Sequence, residues 1–162
     1  MSDIFQIKIS IILPSFIFKI FSMSIKFNPE QGLIVICDFK GFVPPEMVKR
    51  RPAVVISPRL RQRSGLCSIV PLSTTPPTPI MAFHHKLYIE PPLPEPYNAK
   101  FHWVKADMIY TVSFDRLSMP FEGKDASGKR IYTQHVIDKS DLIKIQQCVL
   151  HGLGLTALTD YL

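Results

Sequence analysis

The sequence predicts a mainly β chain, a small barrel followed by one C-terminal helix. Three observations carry this. Short apolar, β-branched runs recur between residues 32 and 137, each cut off by proline or glycine. Apolar residues return at helical spacing in one good stretch only, after Ser140. The 15 prolines are expected to sit in loops and form no polyproline tract. Several short strands, turn signals and one terminal helix fit a small barrel.

The elements follow in order. "GLIVICDF" (32–39) is a β-rich run behind a glycine, and "FVPPEMVKR" is a loop because Pro44 and Pro45 cannot join a ladder. "PAVVISP" (52–58) is a strand punctuated by prolines at both ends. "GLCSIVPLSTT" (65–75) is a third strand with a polar end, broken by "PPTP" (76–79). "HHKLYIE" (84–90) alternates and reads as a fourth, before the stiff loop "PPLPEPYN" (91–98). "FHWVKADMIYTVSF" (101–114) supplies one or two more strands. "GKDASGK" (123–129) is a turn, with "RIYTQHVI" (130–137) as a hairpin partner. For the helix, Ser140 reads as the N-cap and Asp141 suits the positive end. Leu142, Ile145 and Val149 give the apolar face, and Gly152 reads as the stop.

The length suits one domain with a real core. The first 22 residues differ from the rest: "IFQIKISIILPSFIFKIF" is apolar but interrupted by Lys8, Pro14 and Lys19. It is a poor spanning helix and a poor secretory signal, while "MSIKFNPEQG" from Met23 reads like an ordinary start. Residues 1–22 are therefore expected to be an extension outside the fold, with a membrane anchor as the rival reading, and 23–162 the domain. Three cysteines, far apart and with no CxxC pair, argue against a disulfide framework and for a cytoplasmic, reducing setting.

A net charge of +6 favours a polyanionic partner, nucleic acid before an anionic membrane surface. The charge is concentrated in "KRRPAVVISPRLRQR", where six basic residues and no acidic one bracket a strand from Lys49 to Arg63. A strand with cations at both ends can deliver them to something anionic. Phosphate-loop, dinucleotide-glycine, HExxH and GxSxG motifs are absent, and the five histidines do not pair at metal spacing. No metal and no cofactor are expected. What remains is a set of polar groups at strand ends: Arg51, Ser73 with Thr74 and Thr75, and Lys105 with Asp107. If these strands are neighbours, cation, hydroxyl and carboxylate meet at one rim, a set suited to metal-free phosphodiester chemistry.

Taken together, "GLIVICDF", then "RPAVVISP", then "GLCSIVPLSTT", then "WVKADMI" resembles the PemK/MazF toxin family of type II toxin–antitoxin systems, including its Kid branch, over roughly residues 30–119. The resemblance implies an SH3-like small β-barrel with a C-terminal α-helix. It implies a homodimer that cleaves single-stranded mRNA, with a cognate antitoxin protein as partner and no membrane association. It carries the catalytic arginine onto Arg51 and the catalytic hydroxyl onto Ser73, where the family has threonine. It carries the acid–base pair onto Lys105 and Asp107, with lysine in place of arginine. Glu46, Arg50, Thr74, Arg59, Arg61 and Arg63 are then assigned to the substrate. His84, His85 and His102 read as structural or exposed, and Trp103, Phe27 and Cys37 as core. Segment 76–102 is longer than in the short toxins and does not align. The alternatives are a non-enzymatic binder of the same fold, either a CcdB-like gyrase inhibitor or a catalytically inactive RNA-binding protein.

Overall fold

A computed structural model describes residues 24–162; the expectation for residues 1–22 lies outside them. Strands β1 (Ile34–Cys37), β2 (Arg51–Val55), β3 (Leu66–Ser73), β4 (His84–Tyr88), β5 (Phe101–Lys105), β6 (Tyr110–Ser113) and β7 (Leu117–Ser118) form one antiparallel sheet. Its order is β4-β5-β3-β2-β1-β7, with β6 also on β3. The run 101–114 is thus two strands laid along one edge of β3: β6 pairs with Leu66–Ile69, and β5 with Leu72 and Ser73. The sheet curls as a small barrel does but is not closed. β5 carries β4 out past the C-terminal end of β3, away from β7 at the other end of the order, and these two do not pair.

Both faces of the central strands are buried, which explains runs that are continuously apolar rather than alternating. Ile34, Val54, Val70, Leu72, Leu87 and Val104 point to one side and pack under the helix α1 (Lys139–Gly152) through Ile145 and Cys148. Val35, Cys37, Ala53, Val55, Cys67 and Ile69 point into the curl, against Phe39, Val112 and Leu117. Phe39, Phe42 and Tyr110 close that side as three mutually tilted rings with centroids 5.0–6.0 Å apart. Phe27, expected in the core, is 45% exposed.

The hairpin is shorter than the sequence suggested. β9 (Arg130–Tyr132) pairs with β8 (Phe121–Lys124), and the chain then returns to β1, where Ile34 N donates to His135 O at 2.8 Å. Two helix signals also shift. The N-cap is Asp138, not Ser140: its Oδ1 accepts from Asp141 N and from Ser140 Oγ, each at 2.8 Å. A carboxylate two residues earlier takes both donors, so the serine hydroxyl serves the cap rather than forming it. Gly152 is the last helical residue and has no positive φ; the left-handed residue beyond the helix is Gly154, at φ +74°.

Candidate active site

Two prolines shape the rim. Val55 N donates to Leu33 O and Ile56 N to Ser68 O, so donors along β2 alternate between β1 and β3. By that alternation Pro52 sits where an N–H would have to reach β3, and the β2–β3 ladder ends one residue before it, at Ala53–Pro71. Pro71 lies in mid-strand with its nitrogen turned to the opposite edge. There β3 changes partner from β6, whose last pair is Ile69–Tyr110, to β5, whose first is Leu72–Val104. No ladder bond is lost at the changeover. The β2–β3 ladder thus stops short of Arg51 and Ser73, while Arg51 stays paired with Cys37 and Ser73 with Trp103.

Continuing the register sets Arg51 opposite Ser73, and Ser73 is paired with Trp103, which is paired with Lys86. Side chains directly across antiparallel strands share a face. Ser73 and Trp103 are therefore neighbours on one face, with backbones roughly 5 Å apart, and Arg51 falls on that face by extension of the register beyond the last β2–β3 pair. Ser73 is buried, and its Oγ accepts from Thr75 N at 3.1 Å, which leaves the hydroxyl hydrogen to donate elsewhere. On either side of it stand two buried donors without an acceptor among the described residues, Arg51 Nε and Trp103 Nε1. Buried donors are ordinarily paired, and two orphans flanking a hydroxyl in one row fit an anionic oxygen-rich ligand.

Beside this row lie Lys105, Asp107 and His84. Lys105 ends β5 on the face of Trp103 and is paired with His84. Partial burial holds the Lys105 ammonium below its ordinary pKa, an effect that Asp107 opposes. The pKa of His84 is lowered by burial and then by Lys105, with Asp107 again opposing. His84 Nδ1 accepts from Met81 N at 3.0 Å, which places the hydrogen of the neutral ring on Nε2. Asp107 is exposed in the turn between β5 and β6, where Met108 N donates to Lys105 O. The end of α1 packs on that turn: a Cβ on Gly152 would stand 3.1 Å from Asp107 Cα and 3.3 Å from Ala106 O. Glycine is needed there for close approach.

The remaining sequence-assigned residues are spread more widely. Thr74 is exposed next to Ser73. Arg50 Nη2 donates to Ser118 Oγ at 2.9 Å, across to β7. The Glu46 carboxylate accepts from Val43 N at 2.8 Å within its own loop. Arg59, Arg61 and Arg63 are exposed in the β2–β3 loop, beyond the far end of β2 from Arg51. The two basic clusters therefore sit at opposite ends of the strand. All three cysteines are free and buried. Burial pushes the Cys37 thiol up to about 12 and Cys67 to about 11, so neither is a nucleophile near neutral pH. Among the described residues no three of His, Cys, Asp and Glu gather as a metal site, and no helix is long and apolar enough to cross a membrane.

The sequence pattern of the PemK-like, MazF-like toxins of type II toxin–antitoxin systems matches residues 30–151. The chain belongs to that family. An uncharacterized protein of Haemophilus influenzae is 28% identical over 151 residues, spanning 85% of this chain and 99% of its own. The putative uncharacterized protein YifN of Escherichia coli is 26% identical, spanning 85% of this chain and all of its own. Among solved structures, a mycobacterial endoribonuclease in complex with its cognate antitoxin aligns with a TM-score of 0.53 at 20% identity, over 78% of this chain and 96% of that one. MazF from Deinococcus radiodurans aligns with a TM-score of 0.53 at 19% identity, over 79% and 98%. These structures share the fold of this PemK/MazF-like toxin.

Two residues of the candidate site escaped the sequence reading of this PemK/MazF-like chain. Trp103 reads as core by composition but is only half-buried and stands on the face of Ser73. His84 reads as structural, yet pairs with Lys105. The available signal was parity, since Trp103 and Lys105 are two apart on one strand. The adjacent His84 and His85 face opposite sides of β4, and His85 Nε2 meets Asp141 Oδ1 of α1 at 3.4 Å. His102 is buried, and both its ring nitrogens lack a partner among the described residues.

Proposed function

We propose that this chain is the toxin of a toxin–antitoxin pair and acts as a metal-independent endoribonuclease on single-stranded mRNA. The observation that carries the reading is the pair of orphaned buried donors, Arg51 Nε and Trp103 Nε1, flanking the Ser73 hydroxyl in one row. A phosphodiester supplies oxygens to all three. RNA brings its own nucleophile, the 2′-OH next to the scissile phosphate. Asp107 takes the 2′-OH proton as O2′ bonds to phosphorus. The P–O5′ bond breaks, and Lys105 gives a proton to the departing 5′ oxygen. The products are a 2′,3′-cyclic phosphate and a 5′-OH end. Arg51 stabilises the charge that grows on the phosphate oxygens, and Ser73 donates to one of them. A lowered pKa makes Lys105 a better proton donor than an ordinary lysine, which compensates for the arginine it replaces. The mycobacterial relative's complex with its antitoxin supports an antitoxin partner here, and family membership supports a homodimer and a cytoplasmic site of action.

Single-turnover cleavage of a mixed-sequence single-stranded RNA in EDTA tests this. Wild type is expected to cut and leave 2′,3′-cyclic phosphate ends, and Asp107→Asn to cut at least roughly 10²-fold more slowly, as for loss of a positioned proton acceptor. Wild type that binds RNA without cutting it would leave the binding-protein reading in its place.

A further inference from the structure

The face that carries Trp103 continues away from the proposed phosphate site. One step along β5 is Phe101, paired with Tyr88 of β4. These two rings lie 5.9 Å apart and are tilted, and Tyr88 is 65% exposed. Lys86, paired with Trp103, lays its ammonium 3.9 Å from the Phe101 ring centre and 5.4 Å from that of Tyr88. The row of Lys105, Trp103 and Phe101 thus advances two residues at a time, roughly 6.6 Å per step. Neither β4 nor β5 contains an acidic residue. Tyr88 thus presents an exposed ring beside a second ring and a lysine on one sheet face.

We propose that Tyr88 and Phe101, with Lys86 between them, form a stacking platform for unpaired bases flanking the cleaved phosphate of single-stranded RNA. The inference rests on the reading of Arg51, Ser73 and Trp103 as the phosphate site, because that reading fixes where the strand enters. Aromatic faces accept any base, and the lysine meets the phosphate beside it, which is the chemistry of single-strand binding. The platform is built from β4 and the start of β5, in the segment that the sequence reading expects to be longer than in the short toxins. It gives that extra length a use in holding substrate outside the reaction centre.

The test uses the full chain and a short single-stranded oligoribonucleotide methylated at every 2′ oxygen, so that binding is read without cleavage. A matched oligomer carries abasic sites in place of its bases. Wild type is expected to bind the base-bearing oligomer at least about 10-fold more tightly than the abasic one. Tyr88→Ala is expected to lose about 5- to 100-fold for the base-bearing oligomer alone, the worth of one stacked base. Tyr88→Phe should keep the preference, which separates loss of the ring from loss of fold at this exposed position. Equal binding of the two oligomers by wild type overturns the platform. So does a Tyr88→Ala variant that binds both as wild type does, or one whose only change is a different oligomeric state. If the base preference holds while wild type cleaves no RNA, the platform stands and the nuclease reading falls.

Discussion

Gly152 links the helix to the turn that carries Asp107, and its replacement by alanine separates packing from propensity. In a helix, alanine is favoured over glycine by about 1 kcal/mol, and by less at the last helical position. Propensity alone thus argues for stabilisation. The added methyl, however, would meet Asp107 Cα at 3.1 Å and Asp107 N and Ala106 O at 3.3 Å. All three are backbone atoms, so no side chain can swing aside. Either the helix end or the 106–107 turn must shift by a few tenths of an ångström. Overpacking of this kind costs about 1–3 kcal/mol, which leaves a net loss of up to about 2 kcal/mol after the propensity gain. For a domain of this size that lowers Tm by a few degrees. The same shift moves the carboxylate proposed to take the 2′-OH proton, so the single-turnover rate should fall by about 10-fold or more, out of proportion to the stability loss. Differential scanning calorimetry and metal-free cleavage at saturating RNA measure the two effects. A Gly152→Ala protein that melts higher than wild type and cuts as fast would refute the close-approach role and unlink α1 from the Asp107 turn.

Further outcomes are expected at separate places. Arg51→Ala should slow single-turnover cleavage by roughly 10²-fold or more with a modest change in RNA affinity, the signature of a lost charge donor at the reacting phosphate. Replacing Arg59, Arg61 and Arg63 together should instead flatten the salt dependence of RNA binding while cleavage at saturation survives; an unchanged salt slope would remove that loop from the interface. If Lys105 is the acid, the alkaline limb of the rate profile should fall below the pH at which an ordinary lysine titrates, because burial lowers its pKa, and Lys105→Arg should move that limb upward. Burial also lowers the pKa of His102, so the unfolded chain takes up a proton near 6.5 that the folded chain refuses, and stability should drop as pH falls below that value. His102→Phe, which removes two unpaired ring nitrogens, should weaken that acid dependence and leave stability at pH 8 equal or higher.

The strands were legible because a sheet buried on both faces writes itself as unbroken apolar runs, and Val54, Val70 and Ile34 sit where those runs placed them. The helix was legible by its period, but its cap was not: Asp138 and Ser140 are both good caps in sequence, and only the backbone decides which one turns inward. The site was half legible. Arg51 and Ser73 could be named, but their register across β2 and β3 is a tertiary fact. The partner of Ser73 on its other side depends on where β3 trades β6 for β5. Pro71 marks that trade. In one sequence, a mid-strand proline reads only as a local fault in a ladder. In the folded chain it stands where no ladder bond is required, as Pro52 stands where the β2–β3 ladder stops. The β2–β3 ladder therefore ends just short of the cation and the hydroxyl, while Arg51 stays paired with Cys37 on β1 and Ser73 with Trp103 on β5.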